Sequence, residues 1–462
     1  MPLRQPSRTQ STAIPIFALK WHTSPYIVPK QILAYAGGGG SAKTGIGNTV
    51  QIEIDSRAIR IDTGVEIGVA LDILVTEAKH IYVAVGISDS VKVYLIEEEA
   101  VEICSFDFAK GSGVNALAWN ALGNAIVAGR EDGKVCILAA EFQNERSLKL
   151  EQKAELEGHI KAVCSCAFHP RNPAVFMSSA KDGTCRVWNL GLESDDKCME
   201  TLECRIFDPN GKKPPAKILN PKPGQLLVRG CAFGDLDGKT IFTIQSGRKG
   251  GAFLSVWKLV RTPVEGEKTL SPDNPNGPPQ QKFVFEFKES MRKQVSKYPV
   301  SAMSLSGDFS TLALGDTDGS VTLLSTAKFK PFKFFECVHD LPVTCIAARP
   351  LPLPLSGEDL TGVAVDAITA SADNKICYVT KQRKSKMKPK PKGGQKKRSV
   401  SLISYLIYLL IFAIIIYVSK VSVDVCHEEF SGLGDIAQVK HCVFKGVLWA
   451  ASDRPGVAFI PH

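Results

Sequence analysis

The chain has few of the residue groups from which enzyme active sites and metal centres are built. Its 13 cysteines include no Cys-x-x-Cys pair, and no Ser/His/Asp set or pair of carboxylates recurs along its 462 residues. The closest cluster is Cys164, Cys166 and His169, where a zinc site would need a fourth ligand. Scattered single cysteines are typical of small buried side chains in a reducing compartment. The sequence therefore predicts a protein without covalent catalytic chemistry.

Outside one segment, the chain has no excess of positive charge. The net charge is +9, but ten of the 56 Lys and Arg residues lie in residues 381–398, which contain no acidic residue. The remainder has 46 basic and 47 acidic residues, without the excess that nucleic-acid-binding domains often show. No direct nucleic-acid partner is expected. Residues 381–400 are interpreted as a basic linker, compatible with anionic lipid headgroups or with a nuclear localisation signal.

An uncharged segment follows the basic linker. From Leu402 to Val418 no residue is more polar than Ser or Tyr. A helix of about 20 such residues can cross a hydrocarbon core about 30 Å thick. We predict a transmembrane helix at residues 401–420; the alternative is a buried core helix. Because the basic residues precede it, residues 1–380 are expected in the cytosol and residues 421–462 on the far side of the membrane.

The two ends of the chain add little to this topology. The N-terminus lacks the apolar run of a cleavable signal peptide. The tail contains Cys426 and Cys442. These two cysteines can pair if the tail is luminal, although two cysteines alone do not establish a disulfide.

The segment AGGGGSAKTGIGNTV, from Ala36 to Val50, resembles a phosphate-binding loop but lacks two of its features. Ala42 stands where the loop needs glycine before Lys43. The residues that follow, TVQIEIDSRAIRI, alternate with the period of a strand, whereas a phosphate-binding loop opens a helix. A nucleoside triphosphatase is thereby excluded, and the loop is predicted to join two strands.

Internal repeats predict the fold. The clearest copy, LEGHIKAVCSCAFHPRNPAVFMSSAKDGTCRVWNL, is similar to a WD repeat, with Asn189 in place of the final Asp. The resemblance implies that His159, Asp182 and Trp188 belong to a structural hydrogen-bond network. Six weaker copies are marked by the turns at Asp132-Gly133 and Asp318-Gly319, by Trp257, by His339, by the segment around Ser88 to Ser90, and by the glycine-rich segment itself.

Seven repeats in residues 1–380 predict an all-β fold, a seven-bladed β-propeller with four strands in each blade. The Asp-Gly pairs are typical of tight turns that need positive φ, and the small residues before them favour close packing of strands within a blade. Two Pro-rich insertions, residues 211–225 and 261–282, are predicted to be exposed loops. The alternative architecture is a pair of unrelated β domains.

The first repeat differs from the others because a glycine-rich segment separates its second and third strands. Such a projection is costly in conformational entropy unless contacts order it. The sequence from Gly37 to Asn48 resembles that of the endoplasmic-reticulum guanine nucleotide exchange factors for Sar-family small GTPases. The predicted order of propeller, basic linker, single span and short tail resembles the same family. The loop is most similar to that of the animal members of the family.

This resemblance implies activation of a Sar-family GTPase at the endoplasmic-reticulum membrane, which starts assembly of the COPII vesicle coat. It implies that Asn48 enters the GTPase site and that Gly45 and Ile46 shape the approach. For Asn48 alone, the alternative is a turn residue that tolerates positive φ. Other functions consistent with the architecture are an exchange-inactive membrane-anchored scaffold and a transcriptional regulator that binds a promoter element.

The resemblance also implies a potassium ion in the loop, since clustered backbone carbonyls suit this ion. The residues implied to surround it are Gly37, Gly38, Gly39, Gly40, Ser41, Gly45 and Asn48.

Overall fold

The computed structural model describes residues 8–23, 26, 31–41, 44–55, 57–193, 197–204, 226–247, 250–269, 280–351 and 365–380. These ranges contain 28 β-strands. None of the described residues forms a helix with the length and apolar character needed to span a bilayer. The predicted linker at 381–400, the predicted span at 401–420, and the tail with Cys426 and Cys442 lie outside the described residues.

The strands form seven antiparallel sheets of four strands each. The first strand, β1 (Arg8–Ser11), belongs to the last sheet. In chain order, blade 1 contains β2 Ile16–Thr23, β3 Gln31–Gly37, β4 Asn48–Ile54 and β5 Arg57–Gly64; blade 2 contains β6 Gly68–Val75, β7 Ile81–Ile87, β8 Ser90–Ile96 and β9 Ala100–Asp107; blade 3 contains β10 Val114–Trp119, β11 Ala125–Arg130, β12 Val135–Asn144 and β13 Ser147–Leu156.

The remaining blades follow the same order. Blade 4 contains β14 Val163–Phe168, β15 Val175–Ala180, β16 Thr184–Asn189 and β17 Cys198–Glu203; blade 5 contains β18 Leu227–Phe233, β19 Thr240–Ser246, β20 Ala252–Thr269 and β21 Gln280–Ser296; blade 6 contains β22 Val300–Leu305, β23 Thr311–Asp316, β24 Val321–Ser325 and β25 Lys330–Phe335; blade 7 contains β26 Val343–Ala348, β27 Ala367–Ser371, β28 Lys375–Val379 and β1.

The first strands of successive blades contact one another in order, and β26 of blade 7 contacts β2 of blade 1, so the ring is closed. Blade 7 joins the two ends of the propeller, because β1 pairs with β28 and places Arg8 opposite Tyr378. The predicted seven-bladed propeller is confirmed, and the alternative of two unrelated β domains is wrong. The use of β1 as the outer strand of blade 7 was not predicted.

Apolar residues fill the space between blades rather than one central core. All residues of the second strands β3, β7, β19, β23 and β27 are buried. A strand in this position is covered on both faces, by the preceding and by the following blade. Ile52 of blade 1 and Val83 of blade 2, for example, share one apolar cluster. Because burial of apolar area supplies the main favourable free energy, each blade depends on its neighbours.

The Asp-Gly turns have the predicted backbone conformation, with φ of +91° at Gly133, +92° at Gly183 and +78° at Gly319. The small residues before them pack differently from the prediction. A β-carbon on Gly129 would lie 2.5 Å from Cγ1 of Val163, and one on Gly315 would lie 2.4 Å from Cγ1 of Val343. Both valines belong to the first strand of the next blade, so these glycines permit close approach between blades.

The insertion at residues 261–282 is not a plain loop. β20 continues to Thr269 and β21 begins at Gln280, and Lys268 lies opposite Gln281 in the paired register. The two strands form a hairpin arm that lengthens blade 5 beyond the usual strand length of about five or six residues. Backbone pairing therefore orders most of a segment whose Pro-rich composition predicted a loop. The insertion at residues 211–225 lies outside the described residues.

Candidate functional site

The candidate site is the connection between β3 and β4 of blade 1, residues 38–47, which we term the blade 1 loop. β3 ends at Gly37 and β4 begins at Asn48, as the alternating pattern predicted. The corresponding connection in blade 2 is only Ser88 and Asp89. Within the loop, Ala42 and Lys43 lie outside the described residues.

Asn48 closes the base of the blade 1 loop. Its Oδ1 accepts a hydrogen bond from the backbone N–H of Gly40 at 2.8 Å, and its Nδ2 donates to the carbonyl oxygen of Gly40 at 3.2 Å. Nδ2 also donates to the carbonyl oxygen of Gly64 at 3.0 Å, at the end of β5. The side chain is buried, with an exposed fraction of 2%. Asn48 thus joins the start of the loop to two strands of its blade.

The orientation of the Asn48 amide follows from its neighbours. The N–H of Gly40 requires an acceptor, whereas the carbonyl oxygens of Gly40 and Gly64 require a donor. Exchanging the oxygen and nitrogen would place donor against donor and acceptor against acceptor. Asn48 is not among the residues with positive φ. The alternative interpretation of Asn48 as a positive-φ turn residue is therefore wrong.

The glycines at the start of the loop are required by close contacts. A β-carbon on Gly37 would lie 1.8 Å from the carbonyl oxygen of Pro15, and one on Gly38 would lie 2.5 Å from Cα of Asn48. Gly38 also has φ of +147°, and Gly40 has φ of +72°. Only glycine fits both the space and the backbone conformation at Gly38.

The far side of the loop is exposed. Thr44, Gly45, Ile46 and Gly47 are exposed, and Gly45 has φ of +75° with open space where a side chain would begin. The apolar side chain of Ile46 is 36% exposed. Its backbone N–H donates to Oγ1 of Thr44 at 3.2 Å, which constrains the tip. The loop therefore presents an apolar side chain between two glycines, above a base that is buried and hydrogen-bonded.

Side-chain and backbone oxygens lie close to Gly38 and Gly39. A β-carbon on Gly39 would lie 1.9 Å from Oγ1 of Thr44 and 3.1 Å from the carbonyl oxygen of Ile46, and one on Gly38 would lie 2.8 Å from the carbonyl oxygen of Gly47. Uncharged oxygens suit a monovalent cation such as potassium. Oδ1 of Asn48 accepts from the N–H of Gly40 and its NH₂ group donates to two carbonyls, so the amide is engaged within its own blade. The potassium site implied by the resemblance stays a prediction.

The structure brings most of the predicted site residues together. The buried Gly38 and Asn48 and the half-buried Gly40 form the base, while Ser41, Gly45 and Ile46 lie on the exposed part. Two contributors were not predicted: Gly64, whose carbonyl accepts from Asn48, and Pro15, whose carbonyl accepts from the N–H of Gly38 at 3.0 Å. Both act through backbone atoms, so no side-chain pattern in the sequence indicated them.

A second polar cluster, in blade 4, matches the predicted WD-repeat network. Nδ1 of His159 lies 3.0 Å from Oδ2 of Asp182, and Nε2 of His159 lies 2.8 Å from Oγ of Ser178. Trp188 donates from Nε1 to the same Oγ at 2.8 Å. Burial alone would raise the pKa of Asp182, but hydrogen bonds from His159 and Thr184 outweigh it and lower that pKa to about 2. This buried cluster stabilises the blade.

Blade 7 repeats part of this network. His339 lies 3.1 Å from Asp373 and 2.9 Å from Oγ1 of Thr369, as its position in the repeat predicted. By contrast, Nδ1 of His169 accepts hydrogen bonds from the N–H groups of Arg171 and Asn172. No cluster of three or more His, Cys, Asp or Glu side chains suited to a metal exists in the described ranges. The eleven cysteines in those ranges are free thiols.

Comparison with known proteins supports the fold. The family model "WD domain, G-beta repeat" matches residues 102–137 and 150–189. Human coronin-7 and coronin-7 of Pongo abelii are each 26% identical over 98 residues, a region that covers 21% of this chain and 11% of either coronin. The crystal structure of Chaetomium thermophilum Raptor superposes with a TM-score of 0.56 and 13% identity, over 82% of this chain and 29% of Raptor.

The two matched repeats fall on blades 2 to 4. Each begins in the outer strand of one blade, β9 or β13, and ends in the third strand of the next. The sequence repeat is thus offset from the structural blade by one strand, so each repeat links two neighbouring blades. The chain spans only a small part of the length of the curated relatives that it matches. It is a seven-bladed β-propeller that carries WD40 repeats.

Proposed function

We propose that this chain is a guanine nucleotide exchange factor for a Sar-family small GTPase, anchored in the endoplasmic-reticulum membrane by one span with its propeller in the cytosol. Its activity would start COPII coat assembly. The observation that carries the proposal is the blade 1 loop, whose base is held by Asn48 and whose tip exposes Ile46 between two glycines. The family resemblance of residues 37–48 supplies the identity of the partner.

In the proposed mechanism, the tip of the loop contacts the GTPase and the base of the loop holds the tip in one conformation. Ile46 is the apolar group offered to the GTPase, and Gly45 and Gly47 let its backbone come close. Asn48 acts in the described conformation as a positioning residue, because its amide binds three backbone groups of its own blade. Ordering the loop before binding lowers the entropy lost on association.

Exchange follows from differential binding and requires no covalent step. If the loop binds the nucleotide-free GTPase more tightly than the GDP-bound form, linkage requires it to weaken GDP binding by the same factor. A coupling of about 1–3 kcal/mol corresponds to about 5- to 150-fold weaker GDP binding. A potassium ion would be held by oxygens of Thr44, Ile46 and Gly47. Its positive charge would offset the repulsion between the partial negative charges of these oxygens.

The proposal is tested by release of a fluorescent GDP analogue from a Sar-family GTPase. The full chain is reconstituted in nanodiscs, and Ile46→Ala is compared with Ile160→Ala, which removes the same atoms from an exposed isoleucine between β13 and β14. We expect the wild type and Ile160→Ala to accelerate release, and Ile46→Ala to reduce the acceleration at least fivefold. If the wild type does not accelerate release, the exchange function is wrong.

The second candidate is a membrane-anchored scaffold without exchange activity. The propeller fold and its WD40 repeats favour it, because propellers are mostly binding platforms. The same assay separates the two functions. A chain that binds the GTPase without accelerating GDP release is a scaffold.

A further inference from the structure

The outer strand of blade 6 carries lysines and no acidic residue, unlike the outer strands of blades 1 to 5. β25 and the turn before it have the sequence TAKFKPFKFF, residues 326–335, with three lysines and no acidic residue. Lys328 and Lys330 are exposed, and the side chains of Phe332 and Phe334 are 37% and 44% exposed. We term this surface, formed by Lys328, Lys330, Phe332, Lys333 and Phe334, the blade 6 edge.

Acidic residues are present on five of the other outer strands. These residues include Asp62 on β5, Glu102 on β9, Glu151 on β13, Glu200 on β17 and Glu286 on β21. Several are paired with lysine, as Lys92 with Glu102 at 3.0 Å. The sixth, β1, carries a single arginine and spans four residues. The blade 6 edge therefore combines net positive charge with exposed aromatic side chains.

Protection of the edge from sheet pairing explains only part of this composition. Lysine and proline on an outer strand discourage pairing with another chain, and Pro331 and the lysines serve that purpose. A β-bulge opposite Leu323 and Leu324, which leaves Phe332 out of the paired register, has the same effect. Two exposed phenylalanines have the opposite effect, because they add an apolar surface. A partner that binds this surface would therefore contact both aromatic and cationic side chains.

The backbone before β25 is held in place. Lys293 of β21 donates from Nζ to the carbonyl oxygen of Phe329 at 2.7 Å. The ring of Phe329 packs edge-on against that of Phe242 at 5.7 Å between centroids. Lys328 and Lys330 flank this anchored residue, so their backbone positions are fixed by blade 5.

We infer that the blade 6 edge binds the anionic surface of the membrane in which the chain is anchored, with its lysines at lipid phosphates and Phe332 and Phe334 at the boundary with the acyl chains. Basic and aromatic side chains on one surface are the combination that binds such interfaces. The inference rests on the membrane anchoring proposed above. β28 ends at Val379, and the predicted linker and span follow it in the sequence, so the chain that carries the blade 6 edge is the chain that the proposed span anchors.

This contact would orient the propeller on the membrane. Blade 6 and blade 1 are both neighbours of blade 7, so a propeller resting on the blade 6 edge would hold blade 1 at a constrained height above the lipid. The GTPase bound at the blade 1 loop would then be presented at that height. Without the contact, the proposed membrane anchor alone would not orient the propeller.

Hydrogen–deuterium exchange of the full chain in nanodiscs tests the inference. Peptides that cover residues 326–336 are compared in nanodiscs of phosphatidylcholine alone and of 70% phosphatidylcholine with 30% phosphatidylserine. We expect exchange in these peptides to be at least fivefold slower on the anionic nanodiscs, since each of the three lysines near such a surface strengthens binding by about fivefold.

The matched variants are Lys328→Glu/Lys330→Glu and Lys149→Glu/Lys153→Glu. The second pair lies on β13, where Lys149 and Lys153 are 58% and 53% exposed. We expect the first pair to abolish the protection and the second to leave it unchanged. Phe332→Ser/Phe334→Ser should reduce it on the same nanodiscs.

Equal exchange on neutral and anionic nanodiscs, or protection that survives in Lys328→Glu/Lys330→Glu, would overturn the inference. GDP release measured on the same samples distinguishes this outcome from failure of the proposed function. Release without lipid-dependent protection keeps the exchange function and removes the membrane contact. Protection without release does the reverse.

Discussion

Asn48 and Gly40 bind each other through two hydrogen bonds, one in each direction between the side-chain amide and the backbone. They are eight positions apart in the sequence, and the exposed tip of the blade 1 loop lies between them. The pair therefore fixes both ends of the loop at one point. A third hydrogen bond, to the carbonyl oxygen of Gly64, ties this point to the end of β5.

Replacing Asn48 should separate loop order from contact with the GTPase. Asn48→Ala removes the hydrogen-bond partner of the half-buried Gly40 and of the exposed Gly64, at a cost of about 0.5–1.5 kcal/mol in the free energy of unfolding. Asn48→Asp keeps an acceptor for the N–H of Gly40 but places an oxygen against two carbonyl oxygens, so it should destabilise more. Thermal unfolding and GDP release measure the two effects. Loss of release in Ile46→Ala without loss of stability, beside loss of both in Asn48→Ala, is the expected pattern.

The loop glycines allow a matched comparison. Gly45 and Gly111 both have left-handed backbone, with φ of +75° and +83°, and neither has an atom within 4 Å of an added β-carbon. Gly45→Ala and Gly111→Ala should each cost about 1 kcal/mol of stability. Only Gly45→Ala should slow GDP release. Equal slowing by both substitutions would show that the effect is not specific to the blade 1 loop.

Replacement of K⁺ by Na⁺ in the GDP-release assay tests whether the proposed potassium ion contributes to exchange. The oxygens of Thr44, Ile46 and Gly47 would hold potassium, and the smaller ion would need them to move closer together. We expect slower release in Na⁺ and no change in the thermal unfolding of the rest of the propeller. Thr44→Val removes one oxygen and should reduce the difference between the two ions. Release that is indifferent to the exchange of ions would contradict a role for potassium.

Acid should weaken blade 4 through Asp182. The pKa of this carboxyl is about 2 in the folded chain and 3.8 in its ordinary state, so its ionised form is favoured by folding. Its contribution of about 2 kcal/mol is complete above pH 4 and is lost as the pH falls from 4 towards 2. Asp182→Asn should be less stable at neutral pH and should lose less stability over this range. Denaturant unfolding at several pH values measures both slopes.

A second loss of stability should occur at higher pH, through His22 on β2. Burial, with a further effect of Lys20, lowers the pKa of His22 from 6.5 to about 4 against the opposing effect of Asp72. The neutral imidazole is therefore favoured by folding. Stability is complete above pH 6.5 and decreases by about 3 kcal/mol as the pH falls to 4. His22→Gln should show a smaller decrease between pH 6.5 and pH 4, and an equal decrease in both proteins would contradict this account.

Much of the fold could be predicted because its signals are local. An Asp-Gly turn such as Asp182-Gly183 specifies its own backbone conformation, and His159 and His339 occupy the same place in their two repeats. The start of β4 at Asn48 also follows from the alternating residues after it. The hydrogen bonds of Asn48 could not be predicted, because they depend on backbone groups of Gly40 in the loop and of Gly64 at the end of β5.

Features that combine distant segments had no local signal. β1 has four residues and no apolar alternation, and its identity as a strand depends on β28. The contacts of Arg130 on β11 also had no local signal. It donates to Oγ of Ser112 and to the carboxylates of Asp132 and Glu155, which belong to three separate segments. The hairpin arm of β20 and β21 was missed for another reason. Its prolines suggested a loop, but long backbone pairing outweighs them.

The pairing of β1 with β28 gives the propeller an order of assembly. Thr9 and Cys377, which are in contact, are 368 positions apart in the chain, so β1 has no partner until β28 has been synthesised. Until then β1 is unpaired and the sheet of blade 7 is incomplete, even where β26 already contacts β2 of blade 1. A nascent chain halted before residue 375 would therefore expose the outer edge of β27, whereas a chain that has passed residue 379 can lock both ends of the ring in one step.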